Sequence, residues 1–490
     1  MDSVITHSKA FKTRRFLNWF PLGLAYAFLY MGRYNLTVSK IALGQIMSKE
    51  DFGIIFGAGT VVYAFSFLIN GPLTDKIGGK KGMLISLAGS AIMNAVMGFY
   101  IGTFNAVNAQ GQNLRLIFAI MYSLNMYFQS YGALSIVKVN SSWFHLKERG
   151  GFGGIFGTMI SSGVFFAFTV NAWLLAMLVD PGTPDIGMTK WVFFAPAILL
   201  AVMFVVEFFL LQNSPAKAGL ADFDTCDASS GEEGVDLSAF AIIKKVITNP
   251  VMLTIAFIEF CTGVLRNGIM HWFPIYAKEV LQLPKTHWLM NGSWGEWYVI
   301  VLFFVVAVLF FIAASKAVGK RKAWFYISGA LMFLAPFMMG GWGGILMVAG
   351  VIGGNVAGWV SDMMFQSRRA PTAGGLYFIM IFVVIFMFFS LNSPLMLGIS
   401  VFLISLCVIG THGMLSGTAT MDFGGRKGAA TAVGMIDGFV YLGTGFQSFC
   451  LGYITSNNWN WWPVFLFPFT IIGFLLARRI WDAKPGRAAH

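Results

Sequence analysis

Runs of about 20 apolar residues, the length a helix needs to cross the hydrocarbon core of a bilayer, recur from one end of this chain to the other. "FFAFTVNAWLLAMLV" (165–179), "WVFFAPAILLAVMFVVEFFLL" (191–211) and "YVIVLFFVVAVLFFIAA" (298–314) are three of them. In lipid every backbone N–H and C=O must find its partner within the protein, so only helices and closed barrels span. A barrel would show short strands of alternating polarity, and these runs do not alternate. The pattern predicts an all-α polytopic membrane protein. Composition agrees: of 490 residues 57% are hydrophobic and 11% charged, against about 25% charged in soluble domains. The 56 glycines suit helices that pack closely through small residues.

The net charge of +12 could suggest a nucleic-acid partner. The lysines and arginines instead sit in short loops between apolar runs, as the positive-inside rule requires, so the expected partner is the lipid bilayer and no nucleic acid. Cys226, Cys261, Cys407 and Cys450 show neither metal-ligand nor disulfide spacing, and no metal or cofactor is expected. The opening "MDSVITHSKAFKTRRFLNWF" is basic but lacks a small-residue cleavage site. It reads as a cytoplasmic lead into the first span, not a signal peptide.

The apolar pattern predicts fourteen helices, at 17–40, 51–73, 83–103, 115–140, 151–179, 190–212, 248–276, 289–315, 323–341, 343–361, 373–391, 396–419, 428–454 and 461–480. An even number returns both ends to one side. The basic clusters Lys9–Arg15, Lys76–Lys81, Lys147–Arg149, Lys244–Lys245, Lys316–Lys322, Arg368–Arg369, Arg426–Lys427 and Arg478–Arg479 fall on that side, which is therefore expected to be cytoplasmic. The polar stretch 213–247 reads as a cytoplasmic linker between a six-helix half, 1–212, and a second half, 248–490. The halves echo each other: Gly71 and Asp75 precede Lys80 and Lys81, as Gly358 and Asp362 precede Arg368 and Arg369. Arg33 lies 42 residues before Asp75, whereas Arg266 lies 96 before Asp362. The extra 54 residues hold about two spans and a loop, which predicts an inserted helix pair around 298–342.

Arg33, in "YAFLYMGRYN" (26–35), is a charge inside a span. It costs roughly 2.5–3.5 kcal/mol at a helix centre on insertion scales, which makes it a functional residue by default. "GPLTDKIGGKKG" (71–82) resembles the helix 2–3 loop signature of the major facilitator superfamily, carried here by Gly71, Leu73, Asp75, Lys76, Gly78, Lys80 and Lys81. Within that superfamily the chain resembles the organophosphate:phosphate antiporters of the glycerol-3-phosphate and hexose-phosphate type. The residues that carry this are "YAFLYMGRYN", "YAFSF" (63–67), "YFQSYG" (127–132), "WFHLKERGG" (143–151), "LRNGIMHWFPIYAKEV" (265–280), "GWVSDMMFQSRRAP" (358–371) and "AATAVGMIDGFVYLG" (429–443).

The resemblance implies the two six-helix halves of that fold, with the extra pair added. It also implies that Arg33 and Arg266 meet near the midplane and grip the substrate phosphate. A guanidinium presents a planar fork of donors that suits phosphate oxygens. Tyr26, Tyr30, Tyr63 and Tyr441 match cavity-lining tyrosines of the family. Two departures stand out: Phe67 occupies a position where the family usually has lysine, and Ile160 one where the glycerol-phosphate transporters have histidine. His271 and His412 are candidate replacements. Glu259, Glu296 and Asp437 are carboxylates in apolar spans and candidates for coupling protons to transport. Glu259, seven residues before Arg266, is a candidate to face or pair with it.

The resulting expectation is a secondary transporter that exchanges a phosphorylated small metabolite for phosphate by alternating access. It would be monomeric, multi-pass, and set in a bacterial inner membrane with both termini cytoplasmic. Two alternatives stand beside it: a proton-coupled carrier of another organic anion, and a transporter-like sugar-phosphate sensor. No zinc-binding histidine pair, nucleophile elbow or phosphate loop points to an enzyme.

Overall fold

A computed structural model describes residues 7–104, 113–178, 186–225, 248, 250–292, 297–365 and 368–482. Among these the chain forms fourteen long helical segments and no strand. They are α1 (Lys9–Leu43), α2 (Lys49–Ile77), α3 (Gly79–Gly102), α4 (Leu114–Trp143), α5 (Leu146–Phe165, continued to Leu178), α6 (Trp191–Leu210), α7 (Pro250–Met270), α8 (Trp297–Lys316), α9 (Lys320–Met338), α10 (Trp342–Phe365), α11 (Arg369–Ser390), α12 (Pro394–His412), α13 (Thr420–Asn457) and α14 (Trp461–Arg479). Each corresponds to one expected span. Ten of the segments are long and apolar enough to cross a membrane by length and composition alone. The four that fall short are α1, α4, α9 and α13.

Local chemistry sets the ends. Ser8 accepts a hydrogen bond from the Phe11 amide and caps α1. Ser48 and Asp51 form a reciprocal capping box on α2. Gly78 turns the chain from α2 to α3 at φ +88°, a conformation that only glycine adopts without strain. Three interruptions depart from the expected helices, one of them a π-helical stretch, Gly413–Ala419, between α12 and α13. α5 widens into a π turn at Phe166–Val170, and α7 breaks at His271 before a short helix, Trp272–Glu279.

The helices pack as two bundles. In the first, α4 packs on α2 and α3, while α6 packs on α3 and α1. In the second, α7 lies against α13 and α14, with α10, α11 and α12 beside them. The bundles meet where α2 and α4 face α13 and where α5 faces α10. α8 and α9 form a hairpin on the periphery that packs on α10. Most of α8 is exposed, which is the expected place for a lipid-facing span. The linker is described only as far as Thr225, and its remainder lies outside the described residues.

Glycine permits the closest contacts. A Cβ at Gly263 of α7 would overlap the Val440 carbonyl oxygen of α13, and one at Gly443 of α13 would overlap the Phe260 carbonyl oxygen of α7. The two backbones therefore touch directly, as small residues allow in membranes. Gly263→Leu should force α7 and α13 apart at a cost of roughly 1–3 kcal/mol or more. Thermal unfolding in detergent should show a lowered Tm, and an unchanged Tm would contradict this contact.

Candidate functional site

Tyr26, Tyr30, Arg33 and Tyr34 recur at intervals of three and four residues, so α1 turns them toward one side. Arg33 is fully buried. Its Nε donates to Gln129 Oε1 at 2.8 Å and its Nη1 to the Tyr441 hydroxyl at 3.0 Å. The guanidinium carbon lies 4.7 Å from the ring centroids of both Tyr30 and Tyr63, and 5.9 Å from that of Tyr26. These cation–π contacts stabilise the charge without cancelling it. Nη2 is buried with no protein partner.

An amide relay holds Gln129 in place. Gln129 donates to Asn125 at 3.4 Å, Asn94 donates to the same oxygen at 3.2 Å, and Asn35 donates to Asn94 at 2.8 Å. Asn94 and Asn125 also donate to the carbonyl of Gly32. The relay ties α1, α3 and α4 together directly behind Arg33.

Arg266 enters from α7. Its Nη2 donates to the Tyr30 hydroxyl at 3.3 Å, while its Nε and Nη1 have no protein partner. Tyr30 thus touches both arginines. Among the described residues no carboxylate lies within ion-pair distance of either. Glu259, expected to face or pair with Arg266, is turned instead to His412, whose Nδ1 lies 2.8 Å from Glu259 Oε2. The backbone supplies the reason: α12 brings His412 to the flank of α7, and a histidine nitrogen satisfies a buried carboxylate without a second permanent charge.

The structure brings six of the expected residues together: Arg33, Arg266, Tyr26, Tyr30, Tyr63 and Tyr441. Tyr63 packs edge-on to Tyr441 with centroids 4.3 Å apart, and its hydroxyl is unpartnered. Phe67 packs on both of these rings, so an apolar wall stands where the family usually has lysine. His271 lies apart from this cage. It bonds Thr37 at 2.6 Å and is walled by Tyr34, Phe56 and Phe168. His412 and Asp437 form a second cluster with Glu259, Asp437 bonding Ser416. Glu296 lies outside the described residues. Sequence reasoning missed Gln129, Asn125 and Asn94. The signal was present, since amides in apolar spans are costly unless bonded.

The bundles are clasped at both ends. At one end Asp75 accepts from the Thr431 amide and hydroxyl at 3.1 and 2.8 Å and pairs with Lys138 at 2.8 Å. Gly71 lets α2 press against Ala430 and Thr431. The Lys80 amide donates to Asn213 beside Gly78, while Lys76 and Lys81 are exposed. At the other end Glu279 pairs with Lys40 at 3.1 Å and Lys49 at 3.4 Å, and Lys278 donates to the Ile41 carbonyl. The second copy of the loop motif also forms ion pairs. Asp362 pairs with Arg369 of its own loop at 2.8 Å, and Arg368 pairs with Asp482 at 3.3 Å.

The fold and site thus define a polytopic membrane protein with two buried cations, unpaired among the described residues, between two helical bundles. The profile of the Major Facilitator Superfamily matches residues 22–343, and the chain belongs to that superfamily. Similar proteins include the glycerol-3-phosphate transporter of Bacillus subtilis, 24% identical over 98% of this chain and 95% of the relative. The membrane sensor protein UhpC of Escherichia coli is 23% identical over 89% of this chain and 85% of its own. A probable hexose phosphate transport protein of Chlamydia pneumoniae is 22% identical over 97% and 93%. The resemblance to organophosphate antiporters therefore holds over nearly the whole chain. The solved structure of a bacterial homologue of the lysosomal transporter Spinster matches with a TM-score of 0.64 at 13% identity, over 98% of this chain and 100% of that one. It shares the fold.

Gln129→Leu would remove the acceptor of the buried Arg33 Nε, and an unsatisfied buried group costs about 1–3 kcal/mol, more when charged. A lowered Tm in detergent, with the chain still folded, is the expected result. A Tm equal to that of the parent would show that Arg33 does not depend on this bond.

Proposed function

We propose that the chain is a secondary transporter of a phosphorylated small metabolite, exchanged for inorganic phosphate, with Arg33 and Arg266 gripping the phosphoryl group. One observation carries the reading: two buried guanidiniums that meet no carboxylate among the described residues, with three unpartnered donors, Arg33 Nη2 and Arg266 Nε and Nη1. A buried charge is costly unless paired, and a phosphate dianion supplies both the charge and the acceptor oxygens. Tyr30 sits between the arginines, and its hydroxyl with that of Tyr63 is suited to the remaining oxygens. The names of the relatives, all but the sensor transporters of phosphorylated compounds, support the same substrate class.

Transport follows from the two clasps. The Asp75 clasp and the Glu279 clasp each join the two bundles, one on either side of the arginines. Opening one while the other stays shut exposes the site to a single side, which is alternating access. In this reading the bundles are the halves 1–212 and 248–490, joined by a linker over 213–247, with α8 and α9 the inserted pair. The Asp75 end and both termini face the cytoplasm, the membrane is the bacterial inner membrane, and the chain acts as a monomer. His271 shuts the Glu279 end with its aromatic neighbours and is exposed to substrate when that end opens. The similarity to a membrane sensor supports a second reading, in which the same site binds sugar phosphate and signals without flux.

In proteoliposomes preloaded with phosphate, the parent protein should take up labelled phosphate, and a phosphate monoester should compete. Arg33→Lys and Arg266→Lys should each weaken the apparent affinity at least tenfold, or about 1.4 kcal/mol, because lysine lacks the planar fork. Unchanged affinity in both would exclude the arginines as the phosphate grip. Specific binding without exchange would favour the sensor. Glu279→Gln should release its clasp, so that a cysteine placed at Phe56 becomes reactive to an impermeant thiol reagent added on that side. No gain in labelling would argue against the gate.

A further inference from the structure

We propose that Glu259, with His412 and Asp437, forms a proton-binding site that loads together with the anion, so that the phosphate group and a proton enter the protein as a coupled pair. This deepens the functional reading above and rests on it. Glu259 has no exposed surface, and only its Oε2 is met, by His412 Nδ1 at 2.8 Å. Its Oε1 is buried with no protein partner. A carboxylate in that position has an unsatisfied lone-pair site on the atom where a proton would bind. His412 retains a fifth of its side-chain surface, so the pair has one buried member and one open member. With the ring N–H at Nδ1 donating to Oε2, Oε1 is the position left for the proton.

The coupling comes from Arg266. Glu259 and Arg266 lie seven residues apart on α7, which is two turns or about 10 Å along one face, and they interact electrostatically. The other titratable groups facing the site are Cys261 on α7, Tyr377 from α11, His412 from α12, and Asp437 and Tyr441 from α13. With no anion bound, Arg266 is the one permanent positive charge among these neighbours, and its field opposes the burial that disfavours a charge on Glu259. An anion on Arg266 cancels that influence. Glu259 then carries a negative charge in an apolar setting beside Asp437, and proton uptake removes the cost. Linkage makes the effect reciprocal: a proton on Glu259 leaves Arg266 freer to hold the anion.

The charge count points the same way. Arg33 and Arg266 contribute +2 and a bound dianion cancels this, so any carboxylate at Glu259 or Asp437 that stays ionised leaves the occupied site negative. Each proton taken up moves that sum toward zero. The step is a proton transfer alone: an O–H bond forms at Glu259 Oε1, the bond that held the proton to a buffer acid in the surrounding solution breaks, and the conjugate base stays in solution.

The test is calorimetry of glycerol 3-phosphate binding to the intact protein in detergent at pH 8, in two buffers of different ionisation enthalpy. At that pH a phosphate monoester, with its second pKa at about 6, is already a dianion and takes no part in the proton balance. Net proton uptake per bound anion is expected. Over the range where one full proton is taken up, affinity should fall tenfold per unit rise in pH. Glu259→Gln should still bind but lose the uptake and the pH dependence, and His412→Gln should reduce both. Binding without proton uptake in the parent protein would overturn the inference while leaving the phosphate site standing. So would uptake that persists unchanged in both variants. Absence of any binding by glycerol 3-phosphate, a hexose phosphate or inorganic phosphate would remove the functional reading and this inference together.

Discussion

Two buried guanidinium groups, with no carboxylate against either among the described residues, set the terms for the rest of the structure. Such groups are costly to desolvate, and the surrounding residues offset that cost without neutralising it. Tyrosine faces attract Arg33 through their quadrupoles, Gln129 and Tyr441 take two of its hydrogens, and the amide relay from Asn35 to Gln129 fixes the acceptor. An aspartate or glutamate in place of Gln129 would settle the charge and abolish the attraction for an incoming anion. The nearest candidate counter-charge on α7, Glu259, is occupied by His412. Positive potential is thus preserved where the two bundles meet.

That arrangement is useful only if the bundles can part. The direct backbone contacts, Gly263 against Val440 and Gly443 against Phe260, lie within the second bundle and give it the stiffness of a rigid body. Contacts between bundles are mixed. Glycines bring α2 close to α13, Gly53 against Gly452 and Gly434 against the Phe67 carbonyl oxygen, while ion pairs and hydrogen bonds join the ends, such as Lys40 to Glu279 and Thr431 to Asp75, whose groups can be satisfied by water once exposed. Asp75 reaches across to the other bundle, and Asp362 pairs with Arg369 beside it.

The peripheral hairpin of α8 and α9 supplies none of the residues of the arginine cage. It packs on α10, and Phe337 of α9 also meets Phe165 of α5. The cage itself departs from the family pattern at Phe67, which closes one wall with an apolar ring where a third cation is usual. The site therefore has two permanent positive charges, and the acids of the Glu259 cluster lie close enough to influence its charge balance.

Much of this was legible in the sequence. Fourteen apolar runs determined the helices, because a bilayer offers no other way to satisfy the backbone. Arg33 and Arg266 stood out because charge in a span is costly. The loop repeat pointed to two bundles. What the sequence left open was decided by packing between residues far apart in the chain. Tyr441 and Gln129 meet Arg33 across separations of 408 and 96 residues, and Glu259 finds His412 across 153. Whether a buried acid cancels an arginine or turns aside to a histidine depends on which helix lies beside it. Helix neighbours are set by the close approach of glycine-lined backbones, a short-range steric effect that apolar periodicity does not encode. Hydrophobicity determined that the chain crosses the membrane and where its charges are expensive. Only the tertiary contacts decided that those charges stay unpaired.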